Sequence, residues 1–219
     1  MQAILNQFLF NIASVKELNT LYYDLKHTQK LSNDLSDLLR AEIVYVISAL
    51  DKLVHELVRN GMIAVFKGVK PKTSAYEGFT LSAKTLDKIR ETTIERALNP
   101  DLPPTSQIDS PEYWFEQQII LTHKSESYQD PAKISKALSL IWNEPYKWQK
   151  IATKMGLTPK EEKSIQNFLT DIVERRNKIV HEADTDIVSN TKHTITESET
   201  IEMVGFIEKL GKAIYECVV

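Results

Sequence analysis

Cysteine, glycine, net positive charge and long apolar runs are all scarce in this chain, and each scarcity excludes something. One cysteine in 219 residues, Cys217, leaves no intrachain disulfide framework and no cysteine-based zinc site, and fits a reducing compartment. No stretch approaches the roughly 20 apolar residues that a membrane helix needs. The segment Met1–Phe10 is too short for a signal peptide and lacks its basic start. The expectation is a cytoplasmic protein away from membranes. A net charge of −3 supplies no global basic field, so contact with a nucleic acid must be local or built by assembly. The sequence contains no phosphate-cradling glycine loop, zinc-protease helix or serine nucleophile elbow, and no metal or cofactor site is expected.

With 42% apolar and 26% charged residues, the chain suits one domain, or one domain carrying a substantial insertion. Six glycines and long stretches of 3–4 apolar spacing argue for an all-α protein. The first helix is expected over Val15–Gln29. The second should start near Asn33 or Asp34 and end by Gly61 as its C′ residue. Its apolar residues cover more than one face, which makes it the central buried helix. Lys67–Phe79 reads as loop, and Ser82 caps a helix to Leu98. Asn99–Pro111, with four prolines, reads as non-helical. Ser110-Pro111 and Asp130-Pro131 open two further helices, the second reaching Trp142 or beyond. Trp142, Tyr146 and Trp148 read as a packed aromatic cluster. Thr158-Pro159 starts a helix that runs through Ile172, Asp184–Thr194 is a polar connection, and Thr196 caps a final amphipathic helix.

The chemistry concentrates in Glu174-Arg175-Arg176-Asn177-Lys178-Ile179-Val180-His181-Glu182-Ala183-Asp184. On a helical wheel centred on Arg176, residues Ile165, Leu169, Ile172, Val173, Ile179 and Val180 all fall within about 60° of it. A charge in the middle of an apolar stripe is costly unless it meets a partner, a polar cavity or a second subunit. Arg176 and His181 lie about 140° apart around the helix, whereas Asn177 and Glu174 share a face with His181. Two such helices facing across a two-fold axis would bring two arginines and two histidines to one cleft. Histidine can move a proton near neutral pH, and an arginine fork can neutralise charge on a phosphorane.

Ser48, Asp51 and His55, spaced three and four apart, draw one polar line along the apolar second helix. Arg176 is the obvious cation for Asp51; the other reading is a network closed among Ser48, Asp51 and His55 themselves. His27, His123 and His193 read as surface residues. Cys217 reads as a packed apolar residue.

The run Arg176–His181 resembles the arginine-x4-histidine motif of the HEPN superfamily of ribonucleases and RNA-binding helical domains. Arg175, Glu182-Ala183-Asp184, and Ser48 to Asp51 with His55 are similar to its RiboL-PSP-HEPN branch. That resemblance implies an all-α HEPN-like helical bundle over 1–219 with extra helices and loops inserted, 67–130 being the candidate insertion. It implies Arg176 and His181 as the catalytic pair, Asn177 beside them, and Asp51, Ser48, His55, Glu174 and Arg175 in support. It further implies a homodimer that cleaves RNA without a metal, as a toxin or defence effector. An antitoxin or another defence component would be its partner protein. The alternative within the same family is a module that binds RNA or protein without cutting.

Overall fold

The structure is a computed structural model, and it describes residues 1–100, 110–186 and 188–219. Nine α-helices occur among those residues: α1 (Gln2–Tyr23), α2 (Ser36–Phe66), α3 (Ser74–Glu77), α4 (Ala83–Leu98), α5 (Pro111–His123), α6 (Pro131–Leu138), α7 (Lys147–Lys154), α8 (Glu162–Glu182) and α9 (Glu197–Val218). No strand is present among the described residues, only one isolated bridge between Thr185 and Lys192. The all-α expectation holds.

The organising element is α2, 31 residues long and so about 46 Å from end to end. It packs against α1, α5, α6, α8 and α9. Ile43, Val46, Ile47, Leu50, Val54, Leu57 and Val58 on it are fully or nearly fully buried, as its apolar coverage of more than one face requires. Gly61 does not end this helix. It lies inside, where a Cβ would stand 2.6 Å from Ile141 Cγ2, and its role is to admit Ile141. The left-handed residue is Gly68 (φ +73°), two positions beyond the last helical residue.

The first helix starts far earlier than Val15. Phe8, Ile12 and Val15 are spaced four and three apart and are all buried, so the apolar start of the chain is the core face of a helix. After Tyr23 it loosens into a π-helical turn, Asp24–Thr28.

The cap chemistry read from the sequence is in place at four helices but not at α2, which starts at Ser36 after Leu35 with no side-chain cap, Asp34 Oδ1 accepting the Ser36 N–H instead. Ser82, Ser110 and Asp130 accept backbone N–H groups at the starts of α4, α5 and α6, and Thr196 forms a capping box with Glu199. The loop read over Lys67–Phe79 contains the single turn α3, capped by Thr73. Helix α6 ends at Leu138, short of Trp142. Of the three aromatics expected to pack together, Trp148 is buried, Trp142 is partly buried against the core, and Tyr146 is exposed. Most of the proline-rich stretch Asn99–Pro111 lies outside the described residues. No described helix is long and apolar enough to cross a membrane.

Candidate functional site

A short 3-10 turn, Pro159–Glu161, leads into α8, and Thr158 and Glu161 close a capping box around it. Ile165, Leu169 and Ile172 are buried, while Val173 and Ile179 are only partly covered and Val180 is exposed. The apolar stripe therefore leaves the core past Ile172, and Arg176 emerges half-buried at its centre. Arg176 Nη1 donates to Asn177 Oδ1 at 3.1 Å, and its Nε is buried without a hydrogen-bond partner among the described residues. Asn177, Glu174 and His181 are exposed on the outer flank, with His181 in the last helical turn.

The neighbouring arginine has the opposite fate. Arg175 Nη2 donates to Asp184 Oδ2 at 2.8 Å and to the Thr194 carbonyl at 2.9 Å. Asp184 is completely buried, and the same oxygen accepts Arg40 Nε at 2.7 Å. Arg40, buried on α2, spends its remaining donors on Ser36 Oγ, Asp37 Oδ1 and the His193 carbonyl. One carboxylate thus ties the end of α8 to α2 and to the connection before α9. Beside this clamp an open pocket of about 330 Å³ borders α2 and the last turn of α8, lined in part by Val44, Ile179 and Ala183.

The expected partnership of Asp51 with Arg176 is not found. Asp51 Oδ1 accepts the backbone N–H of Tyr128 at 2.5 Å and lies 3.9 Å from His55 Nε2. No hydrogen bond or ion pair joins it to Arg176 among the described residues. The reason is rotational: Asp51 faces the connection between α5 and α6, where orphan backbone donors need an acceptor. His55 turns the same way, towards the Glu126 carbonyl at 3.2 Å and the Tyr128 ring at 4.4 Å between centroids. Ser48 bonds its own helix at Val44 O. The polar line of α2 therefore divides, and it does not form the closed network either.

A sequence model of one family matches residues 10–219. The chain belongs to the RiboL-PSP-HEPN family. No curated protein and no solved structure matches it.

Within this RiboL-PSP-HEPN chain, the residues that clamp the end of α8, Arg40 and Asp184, are given no role by the sequence. Arg40 did leave a signal, because it shares a face of α2 with Ile43 and Ile47, three and seven residues on, and a charge there needs a partner. Asp184 is marked in the sequence only by the Glu182-Ala183-Asp184 resemblance, and nothing local gives its role, because its partner Arg40 lies 144 residues away. Among the histidines, His27 is exposed and pairs with Glu197 at 3.3 Å, as a surface residue should. His123 corrects the expectation: it is buried against Tyr128 and Phe79, and burial pushes its pKa down. Cys217 packs at the core margin, and burial raises its thiol to about 11, far from a reactive thiolate. No group of three or more His, Cys, Asp or Glu side chains that could hold a metal occurs among the described residues.

Proposed function

We propose that this protein is an endoribonuclease that cleaves RNA by transesterification, with Arg176 and His181 as its catalytic residues. The observation that carries this reading is the contrast between two adjacent arginines. Arg175 is consumed by Asp184, whereas Arg176 lacks a carboxylate among the described residues and keeps a buried, unpartnered Nε. A half-desolvated guanidinium with donors to spare fits a phosphate better than it fits the core. His181, exposed five positions on, supplies proton transfer.

In this scheme the 2′-oxygen attacks phosphorus as its proton leaves towards imidazole. Arg176 neutralises the phosphorane, and the phosphorus–O5′ bond breaks as the 5′-oxygen takes up a proton. The products are a 2′,3′-cyclic phosphate and a 5′-hydroxyl. Asn177, bonded to Arg176, orients its guanidinium. Because Arg176 and His181 diverge around α8, the active unit is a homodimer in which one protomer's arginine meets its partner's histidine. A toxin or defence effector, restrained by a partner protein, is the biological setting.

The test is cleavage of a defined RNA by the wild-type protein with EDTA present. The expected result is cyclic-phosphate product, lost when the scissile 2′-hydroxyl is replaced by hydrogen. Cleavage of the 2′-deoxy substrate, or an absolute need for magnesium, would refute the mechanism.

A further inference from the structure

We infer that Asp184 is a positioning residue for His181: its carboxylate fixes the last turn of α8 and so sets the direction in which the histidine leaves the helix. This rests on the reading of His181 as the proton-transfer residue.

Four features of the helix end support it. First, Ala183 (φ +51°) and Asp184 (φ +56°) are two successive non-glycine residues in the left-handed region, where the Ala183 Cβ in particular crowds the backbone. Second, both of their N–H groups return to the Lys178 carbonyl, so the strained pair closes the very turn that carries His181. Third, packing alone holds this turn only lightly: Ile179 is partly buried against the core, while an open pocket lined by Val44, Ile179 and Ala183 borders α2 there. The fastening is ionic, through Arg40 and Arg175.

Fourth, the fastening is a poor choice for stability alone. A fully buried carboxylate with two guanidiniums on Oδ2 and an unpartnered Oδ1 forgoes part of what desolvation takes. Glycine at 183 would end the helix without strain. What the arrangement gains is direction: one oxygen triangulated from α2 and from α8 fixes a helix end in both rotation and tilt. The same anchor holds Arg175 beside Arg176, so both functional side chains leave a backbone tied at one point.

The experiment uses the full chain with two substitutions, Asp184→Asn, which removes the charge while keeping the shape, and the milder Arg175→Gln, which removes one of the two guanidiniums. Melting curves define a temperature at which each variant is folded. There, kcat and KM on RNA are measured against pH, and the His181 imidazole is titrated by NMR. The expected result is a kcat lower by about tenfold or more in Asp184→Asn, in line with the cost of a misplaced group, with KM changed less. The His181 resonances and their titration should shift with it, and Arg175→Gln should move the same way by less. If Asp184→Asn does not fold, Arg175→Gln alone carries the comparison. A folded variant whose kcat is within twofold of wild type and whose His181 signal is unchanged would overturn the inference. If wild type itself proves inert on RNA, the cleavage reading falls, and the His181 signal decides the positioning by itself.

Discussion

Glu42, buried on α2, receives the Asn19 amide at 3.4 Å, and no cation pairs with it among the described residues. Burial, helped by the nearby Glu197 carboxylate, raises it from 4.5 to about 7. The folded chain therefore holds a proton that the unfolded chain releases above pH 4.5. Stability from this residue is complete below that pH and is lost as pH rises through about 7. At about 1.4 kcal/mol per pH unit, the full loss is about 3 kcal/mol. Glu42→Gln should flatten the decline and raise the melting temperature at alkaline pH, as denaturation from pH 5 to 9 would show. An unchanged slope would place the titrating group elsewhere.

The Arg40–Asp184 pair should dominate the cost of disturbing this end of the molecule. Arg40→Met leaves Asp184 with Arg175 alone, and Asp184→Leu leaves Arg40 with only the exposed Asp37 carboxylate. Each should therefore destabilise, by at most about 3–5 kcal/mol, the cost of a broken buried pair. The double variant should recover much of that loss, which a denaturant double-mutant cycle measures. Arg175 retains its Thr194 bond and limits the recovery. The same cycle on Asp51 and Arg176 should show no coupling in the isolated chain.

Two glycines admit bulky neighbours into the core. A Cβ at Gly211 would overlap the Phe8 ring, and one at Gly61 would stand 2.6 Å from Ile141 Cγ2. Alanine normally favours a helix interior by about 1 kcal/mol over glycine. Here overpacking should win, and each alanine should destabilise by about 1–3 kcal/mol. Gly61→Ala combined with Ile141→Ala, which removes the Cγ2 and Cδ1 atoms the new Cβ would meet, should cost less in a thermal melt than the two single changes added together.

Complementation tests whether the proposed site is shared between two protomers. Arg176→Ala and His181→Ala should each be inactive, with His181→Ala down by about 10²–10⁴-fold. Mixed in equal amounts and allowed to exchange, they should regain about a quarter of wild-type activity: half the dimers are mixed, and each holds one complete arginine–histidine pair. No recovery on mixing proven heterodimers would mean that the pair acts within one chain.

How much of this was legible depended on how local the physics was. Caps at Ser82, Ser110, Asp130, Thr158 and Thr196 are set by residues within three positions of the helix start, and the sequence announces them. The stripe through Ile165, Leu169 and Ile172 was equally plain, and with it the exceptional position of Arg176. What failed was the choice of partner. A cation on one helix and an aspartate on another constrain nothing about rotation, and Asp51 turned towards a backbone N–H 77 residues away. Gly61 misled for a related reason, since a helix end and a close crossing both call for glycine, and only Ile141 tells them apart. The apolar start of the chain carries a helical spacing in Phe8, Ile12 and Val15, but only about two turns of it, too few to stand out without the core it packs against.

The contact between Arg40 and Asp184 spans 144 positions, and that separation orders the events of synthesis. As the chain leaves the ribosome, α2 emerges early with a cation whose carboxylate has not yet been made. Closing so long a loop is slow, and it must wait for the apolar contacts of α8 and α9 with α2 to bring the ends together. A nascent chain that stops short of residue 184 therefore carries the whole arginine–histidine run with its last turn untied. On the proposed role of Asp184, the synthesis of that residue and of α9, not the appearance of the motif, is what lets the last turn of α8 be tied.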